Sequence, residues 1–203
     1  MGEARLIHRA AGGKASILEL GCGVGRVTRQ LARLGHSIVA VDNSGDMLRY
    51  VRGATEKVLA DIESLRLSRQ FDAVVLASHL VNTAPRMREA FLLTCREHVR
   101  NGGVVIIERL DPAWANPAAA LERARPRIIR GFRYSLHDMR HKGSRWSATV
   151  RYERGGTQWV HSFTADVLDD RALLASLAAA RLEFDRWLDV DRTWLTATPI
   201  ERA

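Results

Sequence analysis

Ile17-Leu18-Glu19-Leu20-Gly21-Cys22-Gly23-Val24-Gly25 is the stretch that decides the fold of this chain. An apolar strand runs into three glycines at alternate positions. A helical pattern then ends at Gly35, and a second apolar run closes on Asp42. Glycines placed directly after a strand let the backbone turn sharply and approach a ligand without interference from Cβ atoms. The stretch predicts half of a mononucleotide-binding fold that holds an adenosine-containing cofactor.

The glycine spacing argues against a pyrophosphate ligand. The dinucleotide fingerprint needs a glycine at its sixth position, where this chain has Arg26. Glu19 also stands two residues before the first glycine, and a pyrophosphate would be repelled by a carboxylate there. We therefore expect a ligand that carries a positive centre.

Strands and helices alternate along the first half of the chain, which predicts a doubly wound α/β sheet. The predicted strands are residues 17–20, 38–41, 57–61, 71–77 and 104–108. Asn43-Ser44 predicts the cap of a helix that ends near Gly53, and Pro85 opens a predicted helix that Asn101-Gly102-Gly103 ends. Two further strands, 182–188 and 193–198, follow a helix that starts at Asp169 and Asp170, and they predict an antiparallel hairpin at the sheet edge. The expected architecture is a Rossmann-like sheet of seven strands.

The alternation of strands and helices is interrupted between residues 126 and 166. Three strand-like segments (134–139, 147–152 and 158–164) are separated by Lys142-Gly143-Ser144 and Gly155-Gly156, which are turn signals at hairpin spacing. The pattern predicts an antiparallel β-meander inserted after the fifth strand.

The 203 residues predict one domain with a short N-terminal lead-in over residues 1–16. No apolar run approaches the roughly 20 residues of a membrane helix, and the N-terminus lacks the apolar core of a signal peptide. Cys22 and Cys95 show no metal-binding spacing, so we expect reduced, structural cysteines and no metal site. A cytoplasmic protein that does not enter membranes is expected.

The net charge of +8 is concentrated in one segment. The stretch from Leu121 to Arg154 contains ten basic residues and three acidic ones. Such a segment attracts phosphate, an acidic carrier protein or RNA, or it is simply the solvated surface of a sheet, and composition does not separate these alternatives. The basic residues are Arg123, Arg125, Arg127, Arg130, Arg133, Arg140, Lys142, Arg145, Arg151 and Arg154.

The pattern Glu19-x-Gly21-x-Gly23-x-Gly25, with Asp42 ending the second strand, resembles the first motifs of the class I S-adenosylmethionine-dependent methyltransferases. The resemblance covers roughly residues 16–110 and implies that S-adenosyl-L-methionine is the cofactor. It also implies that Glu19 supports the loop or the amino group of the cofactor. The loop that passes the methionine part comprises Gly21, Cys22, Gly23 and Gly25.

Residues after the next strands complete the cofactor site that the resemblance implies. Asp42 is expected to accept both ribose hydroxyls, and Asn43 to pack near the adenine. Asp61 and the backbone of Ile62 would meet the adenine edge, and Met47 belongs to the same site. The residues that line the cofactor beside the reacting methyl would be Ser78, His79 and Leu80.

Several residues are candidates for acceptor chemistry. His79 is the predicted catalytic residue, although a histidine beside a strand end is equally often a structural hydrogen-bonding group. Asn82 would bind the acceptor or cap the next helix. For the meander, both a site role and a surface or core role stay open for His137, Asp138, His141, His161, Trp146 and Trp159.

We therefore expect methylation of N or O on a small-molecule acceptor held between the strand ends and the meander. The meander resembles the acceptor cap of small-molecule N-methyltransferases, and an acidic nucleotide or phosphopantetheine handle would suit the basic segment. The alternatives are a non-catalytic cofactor-binding protein of the same fold and an RNA methyltransferase, which the absence of an Asn-Pro-Pro-Tyr type of motif makes the weaker one.

Two departures from the family accompany this expectation. The short lead-in means that a lid must come from the meander, a partner or the second subunit of a homodimer. Arg181 stands where many relatives have a glycine after the last helix.

Overall fold

The computed structural model describes residues 2–129 and 131–200, and Arg130 of the basic segment therefore lies outside the described residues. Eleven strands occur in this part of the chain. In chain order they are β1 (Ser16–Leu20), β2 (Ser37–Asp42), β3 (Glu56–Leu59), β4 (Phe71–Leu76), β5 (Val99–Glu108), β6 (Arg127–Ile129), β7 (Phe132–Lys142), β8 (Arg145–Arg154), β9 (Thr157–Asp166), β10 (Leu182–Trp187) and β11 (Trp194–Pro199).

The α-helices lie between these strands, together with three short 3-10 turns at residues 62–64, 80–82 and 112–115. The helices are α1 (Glu3–Ala10), α2 (Thr28–Arg33), α3 (Gly45–Leu48), α4 (Pro85–His98), α5 (Pro117–Arg123) and α6 (Asp170–Ala179).

Seven strands form the central sheet in the order β10-β11-β5-β4-β1-β2-β3. Strands β1 to β5 are parallel, β11 runs antiparallel to β5, and β10 pairs antiparallel with β11. The predicted doubly wound sheet and its antiparallel edge are confirmed. The strand order reverses between β1 and β4, and in such sheets ligands bind beyond the carboxyl ends of the strands at this point.

Strand β1 is apolar on both faces because helices cover the sheet on both sides. Ile17 packs with Ile7 of α1 and Leu31 of α2 on one face. Leu18 packs with Leu92 of α4 on the other face. The lead-in is therefore part of the core, through α1, and holds one side of the sheet.

The boundary between α4 and β5 differs from the prediction. We expected Asn101-Gly102-Gly103 to end the helix, but α4 ends at His98 and these residues lie within β5. The pairing of β4 with β5 passes directly from Phe71↔Val99 to Ala73↔Val104, so the intervening residues form a bulge. A Cβ on Gly103 would lie 2.9 Å from the carbonyl oxygen of Asp72, which explains the need for glycine there.

Helix α3 is a single turn, whereas the apolar pattern predicted a helix to near Gly53. Its predicted cap is present, since the Ser44 hydroxyl accepts a hydrogen bond from the backbone N–H of Met47 at 3.3 Å. Gly53 has a φ of +87°, and a Cβ there would lie 2.8 Å from the Cβ of Ala32. The chain turns back against α2 at this point, so the helix does not continue.

The inserted meander has four strands, in the order β6-β7-β8-β9, where the sequence predicted three. The turns at Gly143 and at Gly155-Gly156 are confirmed, with φ between +56° and +79°. Strand β6 escaped prediction because its three residues are exposed and show no alternation, Ile128 being 79% exposed. In the described part of the chain, no helix combines the length and the apolar character needed to cross a membrane.

Candidate active site

The glycine loop follows β1 at the point where the strand order reverses. Gly21, Gly23 and Gly25 all have positive φ, at +67°, +55° and +76°. A Cβ on Gly21 would lie 2.5 Å from Cδ1 of Leu80, whereas a Cβ on Gly23 would meet nothing within 4 Å. The loop therefore packs tightly against the neighbouring loop at Gly21 and leaves open space for a ligand beside Gly23.

Asp42 connects this loop to the end of β2. One of its carboxylate oxygens accepts the backbone N–H of Gly23 at 2.7 Å, and the other accepts that of Ser44 at 2.9 Å. Each oxygen keeps a further lone pair for a ligand hydroxyl. The two bonds hold the carboxylate in one orientation at the edge of the sheet.

Glu19 is enclosed, with 4% of its surface exposed. Its carboxylate accepts a hydrogen bond from the Thr28 hydroxyl at 2.6 Å, which fixes the start of α2 against β1. Burial raises the pKa of Glu19 to about 7. Burial likewise raises the pKa of the Cys22 thiol to about 12, which favours the protonated form.

The adenine side of the predicted site is held together by polar contacts. Asn43 donates from its side-chain amide to Asp61 at 3.0 Å, so the loops after β2 and β3 are joined. Ile62 is buried, and its carbonyl accepts the Thr94 hydroxyl at 2.9 Å. Met47 lies on α3, four residues after Asn43, and is 46% exposed.

The loop after β4 has an unusual backbone. Ser78 and His79 both have left-handed φ angles, +55° and +60°, without being glycine. The backbone N–H of Ser78 donates to Glu108 at 2.6 Å. Strained backbone of this kind tends to occur at functional sites. Glu108 was missed by sequence reasoning, although it ends β5 just as Asp42 ends β2.

A cavity of about 930 Å³ opens between this edge of the central sheet and the meander. It brings together six residues predicted for the cofactor or the acceptor: Asn43, Asp61, Ser78, His79, Leu80 and Asn82. The glycine loop, Glu19, Asp42, Met47 and Ile62 do not line it. Its other lining residues include Glu63, Phe91, Glu108, Asp111, Trp114, Arg127, Tyr134, Tyr152, His161 and Phe163.

Asn82 lines the cavity although it is 1% exposed, and its side chain does not cap α4. Its side chain donates to the carbonyl of Asp166 at 2.7 Å and accepts the backbone N–H of Leu110 at 2.6 Å. These two residues are where the chain leaves the central sheet for the insertion and where it returns. Asn82 therefore joins both stems of the meander to the loop that carries His79.

The other candidates in the meander separate by position. His161 lines the cavity. His137 contacts the Ser135 hydroxyl at 2.9 Å, and His141 stacks on Trp146 with ring centroids 4.8 Å apart. Asp138 lines a separate, shallow groove.

The two tryptophans of the meander have different surroundings. Trp146 is buried in a small core with Ala120 and Val167, which is a packing role. Trp159 is 49% exposed, and its ring contacts Phe132.

Much of the basic segment contacts acids or aromatic rings close to it. Among the described residues, Arg125 pairs with Glu122 of α5, and Arg133 and Arg145 pair with acids of the meander. Arg127 and Arg154 lie over the rings of Tyr134 and Phe132. Arg127 also lines the cavity.

These residues fit an S-adenosylmethionine-type cofactor. The space beside Gly23 accepts a ligand against the backbone, and the oriented Asp42 carboxylate suits a pair of ribose hydroxyls. The carboxylates after β2 and β3 suit a cofactor with a positive centre better than one with phosphates.

Comparison with known proteins agrees with this fit. Residues 17–103 match a family model described as a methyltransferase domain. The cypemycin N-terminal methyltransferase of a Streptomyces species is 34% identical over 113 residues, which are 52% of this chain and 46% of that protein. A ubiquinone biosynthesis O-methyltransferase of Bradyrhizobium sp. (strain ORS 278) is 29% identical over 112 residues, 52% of this chain and 44% of that one. The match thus spans less than half the length of these curated relatives.

The fold is also that of a solved methyltransferase. The crystal structure of an S-adenosylmethionine-dependent methyltransferase from Clostridium acetobutylicum ATCC 824 superposes with a TM-score of 0.77. The sequence identity is 14%, and the superposition covers 97% of this chain and 90% of that one. Residues 17–103 therefore resemble a methyltransferase domain, and the chain has the fold of S-adenosylmethionine-dependent methyltransferases.

Proposed function

We propose that the chain transfers a methyl group from S-adenosylmethionine to nitrogen or oxygen of a small-molecule acceptor bound in the 930 Å³ cavity. The position of this cavity carries the proposal. It lies between the loop of Ser78 and His79 and the meander, where an acceptor would face the end of the cofactor that leaves the glycine loop. A volume of this size is typical of sites for small molecules.

The cofactor supplies the electrophilic methyl group when it is bound. Asp42 would hold its ribose, Asn43 and Asp61 its adenine side, and the loop from Gly21 to Gly25 its methionine part. The remaining task of the chain is to align an acceptor lone pair and to keep water out. Three aromatic residues of the meander line the cavity opposite the sheet and would help to keep water out: Tyr134, Tyr152 and Phe163.

The charges in the cavity favour an acceptor with two different ends. Glu108 and Asp111 lie on the side of the central sheet, whereas Arg127 and His161 lie on the meander. An amine or hydroxyl would point to the sheet, and an acidic handle such as a nucleotide would point to Arg127. The two curated relatives act, by their names, on an N-terminus and in ubiquinone biosynthesis as an O-methyltransferase, so both N and O acceptors belong in the screen.

Calorimetric titration with S-adenosylhomocysteine tests the cofactor part of the proposal. We expect Asp42→Ala to weaken binding at least tenfold, since it removes the ribose acceptor and releases the N–H groups of Gly23 and Ser44. Asp46→Ala is the matched control, because Asp46 is an exposed acid on α3 that pairs with Arg49. Equal binding by Asp42→Ala and the wild type would contradict the assignment.

Turnover separates the remaining alternatives. Formation of S-adenosylhomocysteine with amines or phenols, but not in their absence, would support transfer to a small molecule. Tight cofactor binding without turnover on any acceptor would favour a non-catalytic protein of the same fold. Salt-sensitive binding of RNA would favour the RNA methyltransferase alternative.

A further inference from the structure

Glu108 lies at the place where acceptor and methyl donor would meet. It ends β5, which pairs with β4 through Leu76 and Ile107, so it stands beside the loop that follows β4. It lines the same cavity as Ser78 and His79.

The two oxygens of the Glu108 carboxylate are in different situations. Oε2 accepts the backbone N–H of Ser78 at 2.6 Å, a bond that the left-handed backbone at Ser78 makes available. Across residues 2–129 and 131–200, no group donates a hydrogen bond to Oε1. The carboxylate is thus oriented through one oxygen and keeps the other for a ligand in the cavity.

The surroundings of this oxygen favour a cation. Burial raises the pKa of Glu108, while the charge of His79 opposes the shift, and Glu3 and Arg26 contribute smaller effects of opposite sign. A partly desolvated carboxylate gains more from a cationic partner than an exposed one does. Aromatic rings in the same cavity would cover the rest of an organic cation: Phe91, Trp114, Tyr134 and Tyr152.

We infer that the acceptor is an amine and that Glu108 binds its ammonium group and takes its proton. The inference rests on the proposed function, because it concerns the same cavity. The ammonium N–H bond breaks, its proton goes to Oε1 of Glu108, and its electron pair stays on nitrogen as the lone pair. That lone pair then forms the bond to the methyl carbon while the carbon–sulfur electron pair returns to sulfur. The proton then leaves Glu108 to water.

Sinefungin tests this inference without any need to know the acceptor. It carries a carbon-bound amine where S-adenosylmethionine has its methylated sulfur, so it places an ammonium at the point of transfer, which S-adenosylhomocysteine lacks. Both ligands are titrated calorimetrically into the wild type, Glu108→Gln and Glu63→Gln. Glu108→Gln keeps an oxygen for the Ser78 N–H, and Glu63→Gln removes another carboxylate from the same cavity.

We expect Glu108→Gln to weaken the binding of sinefungin about tenfold or more, because a charge-assisted hydrogen bond is lost. Its affinity for S-adenosylhomocysteine should stay within about twofold of that of the wild type. Glu63→Gln should leave the ratio of the two affinities unchanged. An unchanged ratio in Glu108→Gln, or an equal loss in Glu63→Gln, overturns the inference while the proposed function stands. Failure of the wild type to bind S-adenosylhomocysteine overturns the proposed function, and the inference with it.

Discussion

Replacing Glu19 by glutamine removes a carboxylate that the fold encloses beside the glycine loop. Burial raises the pKa of Glu19 from 4.5 to about 7, and the Thr28 hydroxyl bond opposes the shift only in part. The folded state therefore binds this proton more tightly than the unfolded chain does, so stability falls as the pH rises from about 4.5 through about 7. At 1.36 kcal/mol per pKa unit, ionisation of Glu19 costs about 3 kcal/mol at high pH.

Glutamine presents the same oxygen to Thr28 but cannot ionise. We expect the free energy of unfolding of Glu19→Gln, relative to the wild type, to rise by about 2.5 kcal/mol between pH 5 and pH 8. Urea denaturation followed by tryptophan fluorescence, at constant ionic strength and one-unit pH steps, measures this difference. Glu89→Gln, at an exposed position of α4, is the control for removing one acid. A difference between Glu19→Gln and the wild type that stays constant with pH would refute the reasoning.

Substitutions at three further residues test other parts of the fold. Arg181 follows α6 with a φ of +57°, so Arg181→Gly should raise the free energy of unfolding by about 0.5–1 kcal/mol, and a lower urea midpoint would contradict this. Asn82→Ala leaves two buried backbone groups without partners and should lower the free energy of unfolding by about 2–4 kcal/mol. Asn82→Asp keeps the acceptor for Leu110 and should lower it by less. Equal losses in the two variants would argue against this pair of hydrogen bonds. His36 accepts the N–H of Ala15 and contacts His8 at 2.9 Å, and burial lowers the pKa of His36 below 6.5. Its contribution to stability is therefore complete above pH 6.5 and is lost as the pH falls below it, so thermal melts of His36→Gln should show less acid sensitivity than the wild type.

Local patterns predicted the sheet well because its physical causes are local. Strand β1 needs apolar residues on both faces, and the glycine loop needs positive φ, and both requirements show directly in the residues. The caps at Ser44 and Asp169 were likewise readable from side chains that bind the next turn. The boundary of α4 was wrong because a bulge in the pairing with β4 extends β5 through a glycine pair that otherwise signals a turn.

The site was less predictable because its contacts join residues that are far apart in the chain. Asn82 was predicted to bind the acceptor or to cap a helix; it does not cap α4, and its side chain binds backbone groups 28 and 84 residues away. The basic segment was treated as one patch, but pairing across strands directs much of it to nearby acids and rings. Glu108 carried a usable signal, an acid at a strand end, and only its bond to Ser78 shows that it faces the cavity.

The sequence by itself determined the order of strands and helices, the glycine loop and the acids at the strand ends, because each follows from the conformational preferences of neighbouring residues. It thereby determined which kind of cofactor the loop suits. Only the tertiary structure decided how the meander stands over the sheet, since that depends on Asn82 joining both of its stems. The cavity and the free oxygen of Glu108 follow from that placement, because they are made by surfaces that meet only when the chain is folded.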